Sequence, residues 1–176
     1  PRDLKEKGLA HIPEDRQRMG LVTEFKAHEN LIFGYHHQEP YSKSSILQEK
    51  EIMSFSKKVM EEYDVRPRSP NLMTSNFSGG NQQKIILSRE LNENPKVLLI
   101  GQPTRGVDIG AIEFIHQRLI DMRDKGAAIL LVSVELEEVL SLSDRIVVMF
   151  DGNIVGEKVN KDVTDRDLGL LMAGVA

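Results

Sequence analysis

A chain of 176 residues with 40% hydrophobic and 28% charged side chains can bury a real core, which excludes a disordered or low-complexity polymer. A formal net charge of -4 lacks the basic excess of a general nucleic-acid binder, and the absence of cysteine rules out disulfides and thiolate metal sites. No apolar run nears the roughly 20 residues that a membrane-crossing helix needs; the best, AAILLVSV at residues 127–134, has strand length.

The charged polar start at Pro1 carries no secretion signal and is expected of a piece cut from a longer protein. Residues 8–12 read as a short strand and PEDRQRMG, residues 13–20, as a polar loop. Arg16 and Arg18 there could take an anion, against the simpler reading of a charged surface loop. In AHENLIFGYHH the spacing of Leu31, Ile32 and Tyr35 predicts a helix, with Glu29 early in it, where a carboxylate meets the positive end of the helix dipole. His36 and His37, with His28 upstream, lack metal-ligand spacing, because adjacent histidines diverge on a helix and no acidic partner stands at i,i+4. Residues 46–63 read as a second helix with an apolar stripe at Ile52, Phe55, Val59 and Met60, broken by the prolines of RPRSPN. Met53, Met60 and Met73 read as core filler. Two helices before any further strand look like an insertion rather than part of a sheet.

From Leu87 onward helix and strand alternate, as in parallel α/β folds. Helices are expected over 81–91, 109–123 and 135–140, and strands over 97–100, 128–133, 146–150 and 154–158, the last two around the turn DGN. The continuous apolar strands fit a sheet covered on both faces. Glu135, Glu137 and Glu138 look like paired catalytic carboxylates, but at the front of a helix the dipole accounts for them.

The most specific stretch is NFSGGNQQKIILSREL, residues 76–91. A Ser and two glycines immediately before a helix leave backbone N–H groups free, with no Cβ in the way, at the positive end of a dipole, which suits a phosphate. A Ser N-cap on a flexible turn accounts for the same residues.

Phe77-Ser78-Gly79-Gly80-Asn81-Gln82-Gln83-Lys84, followed by a strand, a Pro-Thr turn and Asp108, resembles the signature loop, Walker B strand and D-loop of the ABC transporter ATPase family, over nearly the whole chain. More narrowly, PEDRQRMGLV, HEN, SGGNQQK and QPTRGVDIGA resemble the second half of the double ATPase subunits of simple-sugar and nucleoside importers. HHQEPYSK and GAIEFIHQRL look most like the nucleoside branch. The resemblance implies a P-loop NTPase-like α/β core with a mostly parallel sheet, truncated at the N-terminus. Its implied parts are a residual core strand with the Q-loop region (1–20), an α-helical subdomain with the signature loop (21–95), and an α/β core with a degenerate Walker B, the D-loop and the C-terminal strands (96–176). Ser78, Gly79 and Gly80, with Asn81 and Gln82 in the first turn, would reach across a dimer interface to the γ-phosphate of ATP on the partner domain's Walker A. Asp108 would be the D-loop acid linking the two nucleotide sites, and it also suits an N-cap on the helix from Ile109. Lys84 could equally be a solvated charge. The implied cofactors are ATP and Mg²⁺ in the full-length assembly. The implied partners are the N-terminal ATPase half of the same polypeptide, transmembrane permease subunits and, indirectly, a substrate-binding protein, with no nucleic acid, at the cytoplasmic face of the cell membrane.

Four departures set this chain apart from the family pattern. The Walker B Asp and Glu positions hold Gly101 and Gln102: glycine supplies no ligand to Mg²⁺, and a neutral amide cannot accept a proton from the attacking water. The histidine after the next strand is Val134, and the Q-loop glutamine is Pro13, which has neither a polar side chain nor an N–H. No G-x-x-x-x-G-K-[ST] occurs: 101–106 has the glycine spacing, but Val107 and Asp108 stand where Lys and Ser/Thr are needed. The expectation is asymmetric division of labour, in which this half lends its signature loop to a site catalysed by the other half and does not itself hydrolyse ATP. Two alternatives stay open. One is a non-catalytic interaction module, disfavoured by the bare Ser78-Gly79-Gly80 turn; the other is a soluble ABC ATPase acting on ribosomes or nucleic acid, disfavoured by the acidic balance.

Overall fold

The computed structural model describes residues 2–161 and 163–175, in two compact units, Pro1–Leu130 and Leu131–Ala176. In the first, α1 (Arg2–Glu6) leads through Gly8, in the left-handed region at φ 90°, into β1 (Leu9–Ile12). A π-helical turn, Arg16–Gly20, follows, begun by Asp15, whose carboxylate accepts from the Arg18 N–H at 3.0 Å. Then come α2 (Ala27–Leu31), the short strands β2 (Ser42–Lys43) and β3 (Ile46–Leu47), and α3 (Glu49–Glu62). A 3-10 turn (Thr74–Asn76) leads to α4 (Gly79–Leu91), β4 (Val97–Gly101), α5 (Ile109–Asp124) and β5 (Ala128–Val132), within which the unit boundary falls.

The sheet order is β1-β4-β5, and β1 pairs parallel with β4, from Leu9 opposite Val97 to Ile12 opposite Ile100. Everything from the π-helical turn to α4 is therefore spliced between two neighbouring strands. Ala10, Ile12, Leu98 and Ile100 of the paired strands, Ile85, Ile86 and Leu87 of α4 and Ile115 of α5 are all buried, α4 packing on β1 and α5, and each Ile or Leu contributes about 1.5–3 kcal/mol of burial. α4 is enclosed on nearly every side, with 85–91 buried in unbroken succession, as expected of a central helix rather than a surface one. At its far end Glu90 is buried with its charge matched: Lys5 Nζ lies at 2.5 Å, Arg89 Nε at 2.9 Å, and the Tyr35 hydroxyl donates at 3.4 Å. Burial, reinforced by the Glu90 charge, pushes the Tyr35 pKa up, so this phenol stays a proton donor. A smaller cluster of Ile32, Tyr35, Tyr41 and Ile52, with Phe55 against it, holds the insertion together.

The helix expected over 46–63 starts only at Glu49. Ser44 and Ser45 both take positive φ, 50° and 64°, which closes a two-residue turn and pairs Lys43 with Ile46 as a miniature hairpin. The helix expected in AHENLIFGYHH is confined to α2; Glu29 does sit in its first turn, accepting from the Lys26 N–H at 2.8 Å, and Gly34 at φ 88° lies beyond its end. β5 is not covered on both faces as its apolar run implied: Leu130 and Val132 remain exposed. Of the three methionines expected inside, only Met60 is fully buried, and Met73 is exposed. Within the first unit α4 packs on β1 and α5.

The second unit contains α6 (Leu136–Leu142), β6 (Arg145–Phe150), β7 (Asn153–Val159) and α7 (Asp165–Met172). β6 and β7 form the expected antiparallel hairpin, turned by Asp151 and Gly152 at φ 45° and 75°. Ile146, Val148 and Leu168 form its core, and the Asn160 amide donates to the carbonyls of Leu140 and Ser143, fastening the hairpin to α6. Glu137 and Glu138 lie in the first turn of α6, the dipole position anticipated for them.

Candidate functional site

The first turn of α4 gathers hydrogen-bond donors from the exposed Ser78, the half-buried Gly79 and the buried Gly80. Ser78 has extended backbone angles and caps the helix: its Oγ accepts from the Asn81 N–H at 3.4 Å and from the Asn81 side-chain amide at 2.9 Å. With two donors already directed at that oxygen, the hydroxyl proton is left to donate outward. Gly79 and Gly80 follow, and their N–H groups make no hydrogen bond among the described residues. Phe77, buried just before the turn, anchors it from inside. An exposed hydroxyl and two open N–H groups at the positive end of a 13-residue helix are donors of the kind a phosphate oxygen takes.

The flanks of this turn come from distant segments. The Asn81 side-chain oxygen accepts from the Arg66 N–H at 2.6 Å, tying the turn to the loop after α3. A Cβ on Gly80 would stand 3.0 Å from Asp108 Oδ2 and 3.2 Å from the Ala111 methyl, so the first turn of α4 rests on that of α5. Asp108 itself is the N-cap of α5, accepting from the Ala111 N–H at 2.9 Å, and its carboxylate is exposed. The structure thus brings Ser78, Gly79, Gly80, Asn81 and Asp108 to one place. Gln82 is turned away: it is buried, donates to the Thr74 carbonyl at 3.1 Å and accepts from Gln17 at 3.2 Å. Its side chain is an internal strut between Thr74 and Gln17. Lys84 is not a solvated charge either; its ammonium donates to the Asp64 carbonyl at 3.1 Å and lies 4.9 Å from the centre of the Phe114 ring.

The end of β4 is built differently. A Cβ on Gly101 would meet the Glu14 backbone nitrogen at 3.3 Å and its Cβ at 3.5 Å, so the Pro13–Glu14 backbone closes over the strand end. Gln102 takes a left-handed conformation, φ 47°, and its carbonyl accepts from the Arg105 N–H at 3.2 Å. The Glu14 carboxylate pairs with Arg105 at 2.8 Å. A glycine, a neutral amide and a carboxylate already engaged are no donor set for Mg²⁺, and no group of three His, Asp or Glu converges elsewhere among the described residues. The ion does not fit here, whereas a terminal phosphate fits the donors of the α4 turn.

Arg16, read from the sequence as a possible anion ligand, points its guanidinium inward to the carbonyls of Arg105 at 2.5 Å and Gly106 at 3.2 Å. Sequence reasoning missed this arrangement because backbone carbonyls carry no residue-type signature. No helix of the described residues is long and apolar enough to cross a membrane.

No family model matches the chain. It is 46% identical over 174 residues to the guanosine import ATP-binding protein NupO of Bacillus subtilis, covering 99% of this chain and 34% of that protein. The nucleoside import ATP-binding protein NupA of Lactococcus lactis subsp. cremoris is 47% identical over the same shares. The ribose import ATP-binding protein RbsA of Oceanobacillus iheyensis is 34% identical, over 96% of this chain and 34% of that protein. The chain spans about a third of the length of these curated relatives. Among solved structures it is similar to a nucleotide-free ATP-binding cassette from an ABC transporter, at 25% identity and a TM-score of 0.71, over 92% of this chain and 65% of that one. A dimeric bacterial ABC transporter cassette matches in fold at 21% identity and a TM-score of 0.72, over 91% of this chain and 66% of that one. The chain therefore has the ATP-binding cassette fold and is similar along its length to nucleoside and sugar import ATP-binding proteins.

Proposed function

We propose that this chain serves in the ATP-binding component of an ABC importer, where Ser78, Gly79 and Gly80 complete an ATP site whose catalytic groups lie on an N-terminal ATPase half of the same polypeptide. The observation that carries this reading is the contrast within one unit: unpaired phosphate donors at the start of α4, and a strand end at Gly101 and Gln102 that offers no carboxylate, with the Glu14 backbone close over Gly101. Asp108, capping α5 beside Gly80, would couple the borrowed site to the rest of the unit. Nucleosides are favoured over simple sugars as cargo, since identity is 46–47% to two nucleoside or guanosine import proteins and 34% to the ribose protein. In the full-length assembly ATP would bring Mg²⁺ with it to the other half. Transmembrane permease subunits and, through them, a substrate-binding protein would be the partners, with this chain peripheral on the cytoplasmic face of the membrane.

Ser78→Asp in the full-length subunit tests the reading, because Asp caps a helix as well as Ser does yet sets a negative charge against the phosphate. Transport-coupled ATP turnover is expected to fall about a hundredfold or more, the scale of losing one preorganised charge-stabilising group. Unchanged turnover would leave the chain a scaffold.

A further inference from the structure

We infer that Arg16 is a positioning residue whose guanidinium keys the Ser78–Gly80 turn to the loop after β4, so that the turn and Asp108 move as one body. Two glycines from separate loops make room for the same group. A Cβ on Gly79 would lie 2.6 Å from Arg16 Nη2, and one on Gly106 would lie 3.3 Å from it. Gly106 is in the left-handed region at φ 64°, and its carbonyl and that of Arg105 both receive the guanidinium. The fork is held tightly enough that Arg16 Nε is shielded from solvent without a hydrogen-bond partner. Two charge-assisted bonds to neutral carbonyls offset that unpaired donor.

The backbone on either side is fixed as well. Upstream, Glu14 lies on Gly101; downstream, Gly20 is packed so closely on α4 that a Cβ there would stand 2.6 Å from Ile86 Cδ1. The segment from Pro13 to Gly20 thus touches the strand end, the loop after it, and both the first turn and the body of α4. In the position of a nucleotide-sensing loop this chain carries a fixed latch, with Pro13 at its start and Arg16 as its bolt. A planar fork fixes the direction of both bonds, whereas an ammonium on a flexible stem can reach two carbonyls without holding them in register.

The inference rests on the composite-site reading for its effect on turnover but not for its structural part. In the full-length transporter, Arg16→Ala is expected to lower kcat for ATP about tenfold while KM stays within about twofold, the pattern of a misplaced group rather than lost uniform binding. In the same protein without nucleotide, amide hydrogen exchange should quicken in both 78–82 and 103–108. Arg16→Lys should recover only part of the turnover, to about a third of the wild-type rate, with exchange still raised in both segments. If Arg16→Ala does not assemble, Arg16→Lys alone carries the test. Unchanged exchange in both segments overturns the latch, as does full recovery by Lys, which would make the charge alone sufficient. Unchanged turnover in Ser78→Asp would defeat the composite site by itself, because the exchange measurement on the Arg16 variants involves no ATP.

Discussion

The Ser78–Gly80 turn and the strand end at Gly101, both in the first unit, use glycine for opposite ends. At Ser78-Gly79-Gly80 the missing Cβ atoms admit Arg16 and Asp108 against the turn, while the N–H groups of the two glycines stay unpaired. At Gly101 the missing side chain lets the chain's own backbone, at Glu14, close the space where a carboxylate would have stood. Glycine gives access in the first case and closure in the second. On the composite-site reading, a strand end packed against its own backbone at Gly101 suits a structural rather than a catalytic role.

The open turn is the place to break this contrast with the largest effect. Gly80→Val would press branched carbons onto the Asp108 carboxylate, already 3.0 Å from a bare Cβ, and onto Ala111. Because it displaces the donors rather than removing one, turnover in the full-length transporter is expected to fall about a hundredfold or more. Retained turnover would show that the turn tolerates displacement and therefore meets no phosphate. The closed turn gives a smaller and qualitatively different result. Gly101→Asp together with Gln102→Glu restores the carboxylate pair in residue type, yet the new Cβ meets Glu14 backbone at 3.3 Å. The pair is expected to give no gain in ATP turnover and to destabilise the unit by about 1–3 kcal/mol through overpacking, read as a lowered midpoint in chemical denaturation. A gain in turnover would mean that the segment at Glu14 yields readily and the platform is intact.

What the sequence discloses divides along the same line. Ser78 as the cap of α4 and Asp108 as the cap of α5 were legible because capping is local chemistry, settled within three residues of the helix start. The hairpin of β6 and β7 was legible from Asp-Gly-Asn for the same reason. The strand at Ile46–Leu47 was hidden because its apolar residues also fit the stripe of α3, and only the positive φ of Ser44 and Ser45 separates the two. α1 and α7, of five and eight residues, are too short for a helical period to stand out. The fate of Gln82 and Lys84 was not legible, since both sit at phosphate-facing places in the motif but find their partners in Thr74, Gln17 and Asp64. Hardest of all was Arg16, whose acceptors lie 89 and 90 residues away and are carbonyls that any residue type could supply.

The finest test separates side chain from backbone in the closed turn. The Glu14–Arg105 pair looks like the fastening between the two segments, at 2.8 Å, but its side chains are 55% and 68% exposed. Exposed pairs of this kind contribute about 0–1 kcal/mol and weaken with salt, so Glu14→Ala should shift the denaturation midpoint little, and less still at high ionic strength. The contact that closes the strand end is the Glu14 backbone against Gly101, which alanine preserves. Amide exchange across 101–106 in Glu14→Ala should therefore match the wild type, while Arg16→Ala raises it over 103–108. Equal acceleration in the two variants would move the fastening to the ion pair and make closure of the turn a matter of surface charge rather than of backbone fit.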